Sequence, residues 1–479
     1  MGRYQTPLPE MLSKNKNKAA RGLPKTPLPY AVIILPSRRF GKRECCTKVL
    51  LMPSKDLTRK IFAESLTEKT AYAIMHLLMS KDVHPEKYHV FFRISVFAFF
   101  VERMSLMFTN ISPGFTSAPL EGEVRIPSGC AISAVVSKIG RRFDGGDIIK
   151  SMIPMHDRSN GLGGGFAAYG IYPDYREFYA LHIFYNDNSD RAECENFLKD
   201  GFEIVKAESI PIRKIPEITD VPLIWRYFVA PLSSVLARLQ IDEKEYVART
   251  VMQINTRIKG AYVFSSGKNM GVFKAVGFPE DVGRFYRLEE YAGYMWTAHG
   301  RYPTNTPGWW GGAHPFALLD YSIVHNGEIS SYDANRRCIE MYGYKCTLQT
   351  DTEVITYIAD YLLRKQGLTL EETASVIAAP FWSTIDSMPE DKKQVCRYLR
   401  TVYPNLLITG PFSIILGFEG GLMALNDRLK LRSMVTAEKG DMVYIASEEA
   451  AIRAICPDAE NIYSPAGGEA FIVKVENND

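Results

Sequence analysis

The chain has 479 residues, 46% of them hydrophobic and 23% charged, which is enough apolar material for a large core and a length suited to about two to four domains. A formal net charge of +3 is too small for a nucleic-acid binder, which needs a basic face or stripe. The eight cysteines contain no C-x-x-C pair, which excludes a zinc ribbon, an iron–sulfur cluster and a disulfide framework and points to a reducing, cytoplasmic setting. The most apolar window, Ile94 to Val101, is far shorter than the roughly 20 residues that span a bilayer, and the polar, proline-punctuated start is no secretory signal.

Residues 1 to 129 open Lys/Arg/Pro-rich, contain one predicted helix from Glu68 to Ser80, and show no chemical motif. At "RIPSGCAISAVVSK" a Pro-Ser-Gly turn delivers Cys130 to the start of an alternating apolar strand, so its thiol is either core packing or a displayed nucleophile. From there short alternating runs recur: "FYALHIFYND", "GAYVFSS", "YSIVHNGEI", "FSIILGFEG", "GLMALND", "DMVYIAS" and "EAFIVKVE". Their spacing predicts antiparallel strands joined by hairpins. Helical spacing is predicted for "GDIIKSMI", "LIWRYFVAPLSSVLARLQ", "SYDANRRCIEMYG" and "DTEVITYIADYLLRKQG". The mixture indicates an α+β protein with sheets covered by helices.

The polar residues cluster between His299 and Glu353. In "SIVHNGEI" the Asn326-Gly327 pair is either a hairpin turn or, at a strand end, an amide and a backbone N–H suited to an oxyanion hole. Arg301 follows the strand-like "GYMWTAHG"; its planar fork suits a carboxylate, the alternative being a surface arginine. Asp351 opens a helix, where it or Thr350 would cap, or where its carboxylate could bind a ligand. His299, His314 and His325 lack metal-ligand spacing and read as structural. The glycine-rich "HDRSNGLGGGFAAYG" lacks a nucleotide-loop signature and reads as close backbone approach beside a site.

Five motifs occur in one order: Cys130 at a strand start; His156-Asp157-Arg158; His299-Gly300-Arg301-Tyr302; His325-Asn326-Gly327-Glu328; Thr350-Asp351-Thr352-Glu353. In this order the chain resembles the class II glutamine amidotransferases, and "RYPTNT", "AHPF" and "VHNGEI" resemble the amidotransferase part of glutamate synthase. The resemblance covers about residues 130 to 475. It implies an N-terminal-nucleophile (Ntn) hydrolase fold, a four-layer αββα sandwich with antiparallel sheets, over residues 130–479.

The same resemblance implies the chemistry. Cys130, freed as an N-terminus, would attack the glutamine side-chain amide with its own α-amine as base. Asn326 and the Gly327 N–H would stabilise the oxyanion, Arg301 would bind the α-carboxylate, and Asp351 the α-ammonium. Arg158, counted with the substrate-binding residues, would order the loop over the site. The products are glutamate and ammonia, the ammonia passing to glutamate-synthase-like partner subunits. Flavin (FMN) and iron–sulfur chemistry would reside only in those partners, with no cofactor in this chain. Residues 1–129 are expected to be a leader that is removed or the result of too early a start, Met104 or Met107 giving a shorter leader. The loop "HDRSNGLGGG" departs from the family pattern by the inserted Asp157. Two other readings stand beside this one: a non-catalytic regulatory or docking subunit on the same fold, and a papain-like cysteine hydrolase using a histidine base.

Overall fold

The computed structural model describes residues 129–302 and 308–476, together with two paired antiparallel strands, Tyr30–Pro36 and Thr47–Pro53. The chain divides into two units, residues 1–123 and 124–479. The helix expected at Glu68 to Ser80 lies outside the described residues.

Beyond residue 129 two antiparallel sheets form the centre. One has seven strands in the order Met270–Ala275, Gly164–Tyr169, Met295–Gly300, Ala131–Ser137, Met442–Ala446, Val435–Lys439, Glu460–Tyr463. The other has five: Phe316–Leu318, Tyr321–Gly327, Phe412–Phe418, Gly421–Asn426, Ala470–Lys474. Strand alternation decides which layer each side chain enters. Val324 and Ile415 join the core shared with Ala134 and Val136 of the first sheet, while their neighbours Ile323, Ile414 and Leu416 face the opposite way, into a second core with Val354, Ile355 and Ile358. The Tyr169 hydroxyl spans the two sheets, to Ser322 Oγ at 2.7 Å and the Asp320 carbonyl at 3.1 Å.

Helices cover both outer faces. Gly146–Met152 packs on Ala131–Ser137 and Met295–Gly300, and Pro279–Phe285 on Gly164–Tyr169; on the far side Asp351–Asp360 packs on Tyr321–Gly327 and Phe316–Leu318. The result is the four-layer αββα arrangement, with a further four-stranded sheet ordered Phe202–Ser209, Leu223–Pro231, Tyr179–Tyr185, Ala261–Ser265.

One expectation fails here. "LIWRYFVAPLSSVLARLQ" is not one helix: Leu223–Pro231 is a strand paired on both edges, and only Ser233–Leu239 is helical. Pro231 separates the two, and the aromatic and β-branched residues before it favour a pleated, half-buried surface whose partners lie elsewhere in the chain.

Candidate active site

Antiparallel pairing builds the site. Ala131 lies opposite Gly300, and Gly300 opposite Gly164, so the residue before one strand meets the residue after its neighbour. The Tyr302 N–H therefore donates to Cys130 Sγ at 3.3 Å although the two are 172 residues apart in sequence. Tyr321–Gly327 ends nearby in the facing sheet, where the Asp351–Asp360 helix begins. Cys130, Arg301, Gly327 and Asp351 together line a cleft of about 560 Å³, in the size range of small-molecule sites.

Asn326-Gly327 is not a hairpin turn. Both residues remain in the strand, opposite Ser413 and Phe412. A side chain at 327 would have to enter the backbone of the neighbouring strand, since a Cβ there would lie 2.1 Å from the Pro411 carbonyl oxygen. The Asn326 side chain is fully buried, with Nδ2 donating to Ser447 Oγ over a long 3.4 Å, an amide hydrogen that is cheap to redirect. Ser447 Oγ also accepts from the Ile132 N–H at 3.1 Å, tying the two sheets together behind Cys130.

The cleft carries opposite charges at Arg301 and Asp351. Burial pulls the Arg301 guanidinium down from its usual range, opposed by the charges of Cys130 and Asp351. Gly163 makes room for it, since a Cβ there would lie 3.0 Å from Arg301 Cδ; this is the close approach expected of the glycine-rich loop. Asp351 does not cap its helix. Its carboxylate accepts from the Ile329 N–H at 3.2 Å and the Thr352 hydroxyl at 3.2 Å, and lies 3.5 Å from His325 Nδ1. Burial opposes its charge, but His325 and these donors together hold the carboxyl below the usual carboxylate range, so it is an anion at neutral pH.

Burial pushes the Cys130 thiol above its usual range, partly offset by the Tyr302 N–H, so nucleophilic attack needs a base. The nearby imidazoles are poor candidates. His299 and His314 stack at 4.0 Å, burial pulls His299 down to about 3, and His314 is also drawn well below its usual range. His299 donates through Nε2 to the His325 carbonyl at 2.8 Å, a structural bond between the sheets. Among the described residues no imidazole is hydrogen-bonded to the Cys130 sulfur.

Arg158 stands apart from the cleft lining. It donates to the Cys130 carbonyl at 3.3 Å and to Glu448 at 2.7 Å, securing the start of the Ala131–Ser137 strand. Three supporting residues carry no local signature in the sequence: Ser447; the fully buried Lys274, which holds the Gly311 carbonyl at 2.9 Å; and Arg432, whose guanidinium lies beside Gly129. Glu353, in the motif with Asp351, accepts from the Thr347 and Leu348 N–H groups at 3.0 and 2.9 Å and so fastens a cleft-lining loop. Glu353→Ala is expected to orphan both donors and cost about 2–3 kcal/mol, seen as a lower denaturant midpoint at unchanged slope.

The family described as class-II glutamine amidotransferases matches residues 176–459, which include Arg301, Asn326, Gly327 and Asp351 but begin after Cys130 and Arg158. An uncharacterized protein of Archaeoglobus fulgidus is 50% identical over 353 residues, covering 73% of this chain and 93% of that one. A putative glutamine amidotransferase of Methanothermobacter thermautotrophicus is 25% identical over 352 residues, 72% of this chain and 100% of its own. The solved glutamine phosphoribosylpyrophosphate amidotransferase from B. subtilis aligns at 12% identity and a TM-score of 0.36 over 72% of this chain and 47% of its own. With more than half its length matched by the family, the chain belongs to the class II glutamine amidotransferases.

Proposed function

We propose that the protein is a glutaminase that hydrolyses glutamine to glutamate and ammonia through Cys130 as an N-terminal nucleophile, and that the ammonia serves a glutamate-synthase-like partner. The observation that carries this reading is the convergence of Cys130, Arg301, Gly327 and Asp351 on one cleft. A guanidinium and a carboxylate in one small cleft suit a zwitterion, the α-carboxylate at Arg301 and the α-ammonium at Asp351. The side-chain amide then reaches Cys130.

In this mechanism the sulfur attacks the amide carbon and its proton passes to the α-amine. The negative oxygen takes hydrogen bonds from Asn326 Nδ2 and the Gly327 N–H. The amine returns the proton to the departing nitrogen, ammonia leaves, and water cleaves the thioester to glutamate. An α-amine with a pKa of about 7.7–8.0 is roughly a tenth to a fifth free base at pH 7, against well under 0.1% for an ordinary lysine. The supposed flavin and iron–sulfur groups belong to the partner in this proposal. A papain-like reading is disfavoured by the absence, among the described residues, of an imidazole bonded to Cys130 Sγ.

Arg301→Lys tests the binding assignment. Lysine keeps the charge and loses the fork, so kcat/KM for glutamine hydrolysis is expected to fall at least tenfold, mainly through KM. A value within about twofold of the native enzyme would refute the carboxylate role.

A further inference from the structure

Two polar groups without partners among the described residues flank Gly129. A Cβ on Gly129 would lie 3.1 Å from Arg432 Nη1 and 3.3 Å from Asn326 Oδ1. Asn326 Oδ1 is buried and accepts no hydrogen bond, and Arg432 Nε is buried and donates none. No carboxylate pairs with Arg432 among the described residues, although its charge reaches the Cys130 thiol and favours the thiolate. By standard bond lengths, the Cys130 nitrogen lies within roughly 6–7 Å of the Arg432 guanidinium.

We propose that Arg432 sets the basicity of the Cys130 α-amine, holding a positive charge beside the nitrogen that becomes free when Gly129 leaves. The inference rests on the N-terminal-nucleophile reading above. Once free, the amine has an acceptor waiting in Asn326 Oδ1 and a cation in Arg432. A neighbouring cation disfavours the ammonium form, so more of the amine is free base at neutral pH to take the Cys130 thiol proton and later pass it to the departing ammonia.

The other charges around this nitrogen are already matched. Arg158, on the Cys130 carbonyl, is paired with Glu448 at 2.7 Å. Asp351, which acts in the opposite sense, is shared with His325, Thr352 and the Ile329 N–H, and in the proposed complex it meets the substrate ammonium. Arg301 meets the substrate carboxylate in the same complex. Arg432 is then the cation whose field persists through the reaction.

The test is the acid limb of kcat/KM against pH for glutamine hydrolysis, with the full chain and its N-terminus defined by intact mass. Arg432→Met should move that limb up by about 0.5–1 pH unit, and Arg432→Lys, which retains the charge, by less than about 0.2. The same displacement should appear without turnover, in the pH dependence of acetic-anhydride labelling of the Cys130 α-amine read on the N-terminal peptide. Unmoved limbs and labelling curves in Arg432→Met overturn the proposal. So does retention of Gly129 in Arg432→Met alone, which would place the arginine in leader removal. Native material that is active with Gly129 still attached overturns this inference and the N-terminal mechanism together. Native material that begins at Cys130, is labelled with the predicted shift, yet fails to hydrolyse glutamine refutes the proposed function while supporting the role of Arg432.

Discussion

Cys130→Ala is expected to abolish glutamine hydrolysis, by roughly a thousandfold or more, and to leave Gly129 joined to residue 130. The first effect follows from the proposed role of Cys130, which lines the same cleft as Arg301 and Asp351. The second follows from the chemistry of the junction. In the chain as encoded the Cys130 nitrogen is an amide, which is not a base near neutral pH. The Cys130 thiol can itself attack the Gly129 carbonyl: the S–C bond forms, the C–N bond breaks, the nitrogen takes a proton to become the amine, and water then cleaves the thioester. Alanine has nothing to begin that exchange. The same residue is thus expected to govern both maturation and catalysis. Intact mass and a glutaminase assay on one preparation separate them: full activity with Gly129 still attached would exclude an α-amine base.

Asn326→Ala is expected to lower kcat by roughly a hundredfold or more while changing KM little, because the amide donor meets the oxygen only as it becomes negative. The geometry gives this prediction its risk. Nδ2 is spent on a 3.4 Å bond to Ser447, so the donor must turn from a weak partner to a stronger one during the reaction. The variant leaves a small cavity beside Ser413 and Ser447 and should fold, with a modest loss of stability. A near-normal kcat would leave Asn326 with only a packing role between the sheets. A matched fall in kcat for Ser447→Ala would instead show that the hydroxyl positions the amide.

Much of this protein was legible from its residues in order. The short apolar runs at Ala131–Ser137, Tyr321–Gly327 and Phe412–Phe418 report strands because successive side chains face opposite layers, and both layers here are buried. Five short motifs in a fixed order carry the resemblance to the family that the match over residues 176–459 shows. Local pattern fails where partners are distant. Leu223–Pro231 carries apolar residues that also suit a helix, and pairing with Tyr179–Tyr185 and Phe202–Ser209 makes it a strand. Asn326-Gly327 has the composition of a turn, yet hydrogen bonding to Phe412–Phe418 keeps it extended. Asp351 has the position of a cap, yet His325 and Ile329 claim its carboxylate. The same holds for the groups around Cys130 and its cleft. Ser447, Lys274 and Arg432 have no signature of their own, because their roles are set by backbone groups far away in sequence that only the packed sheets bring within reach. Residue type and order determine which chemistry is available, and the register of two antiparallel sheets decides which of those groups meet.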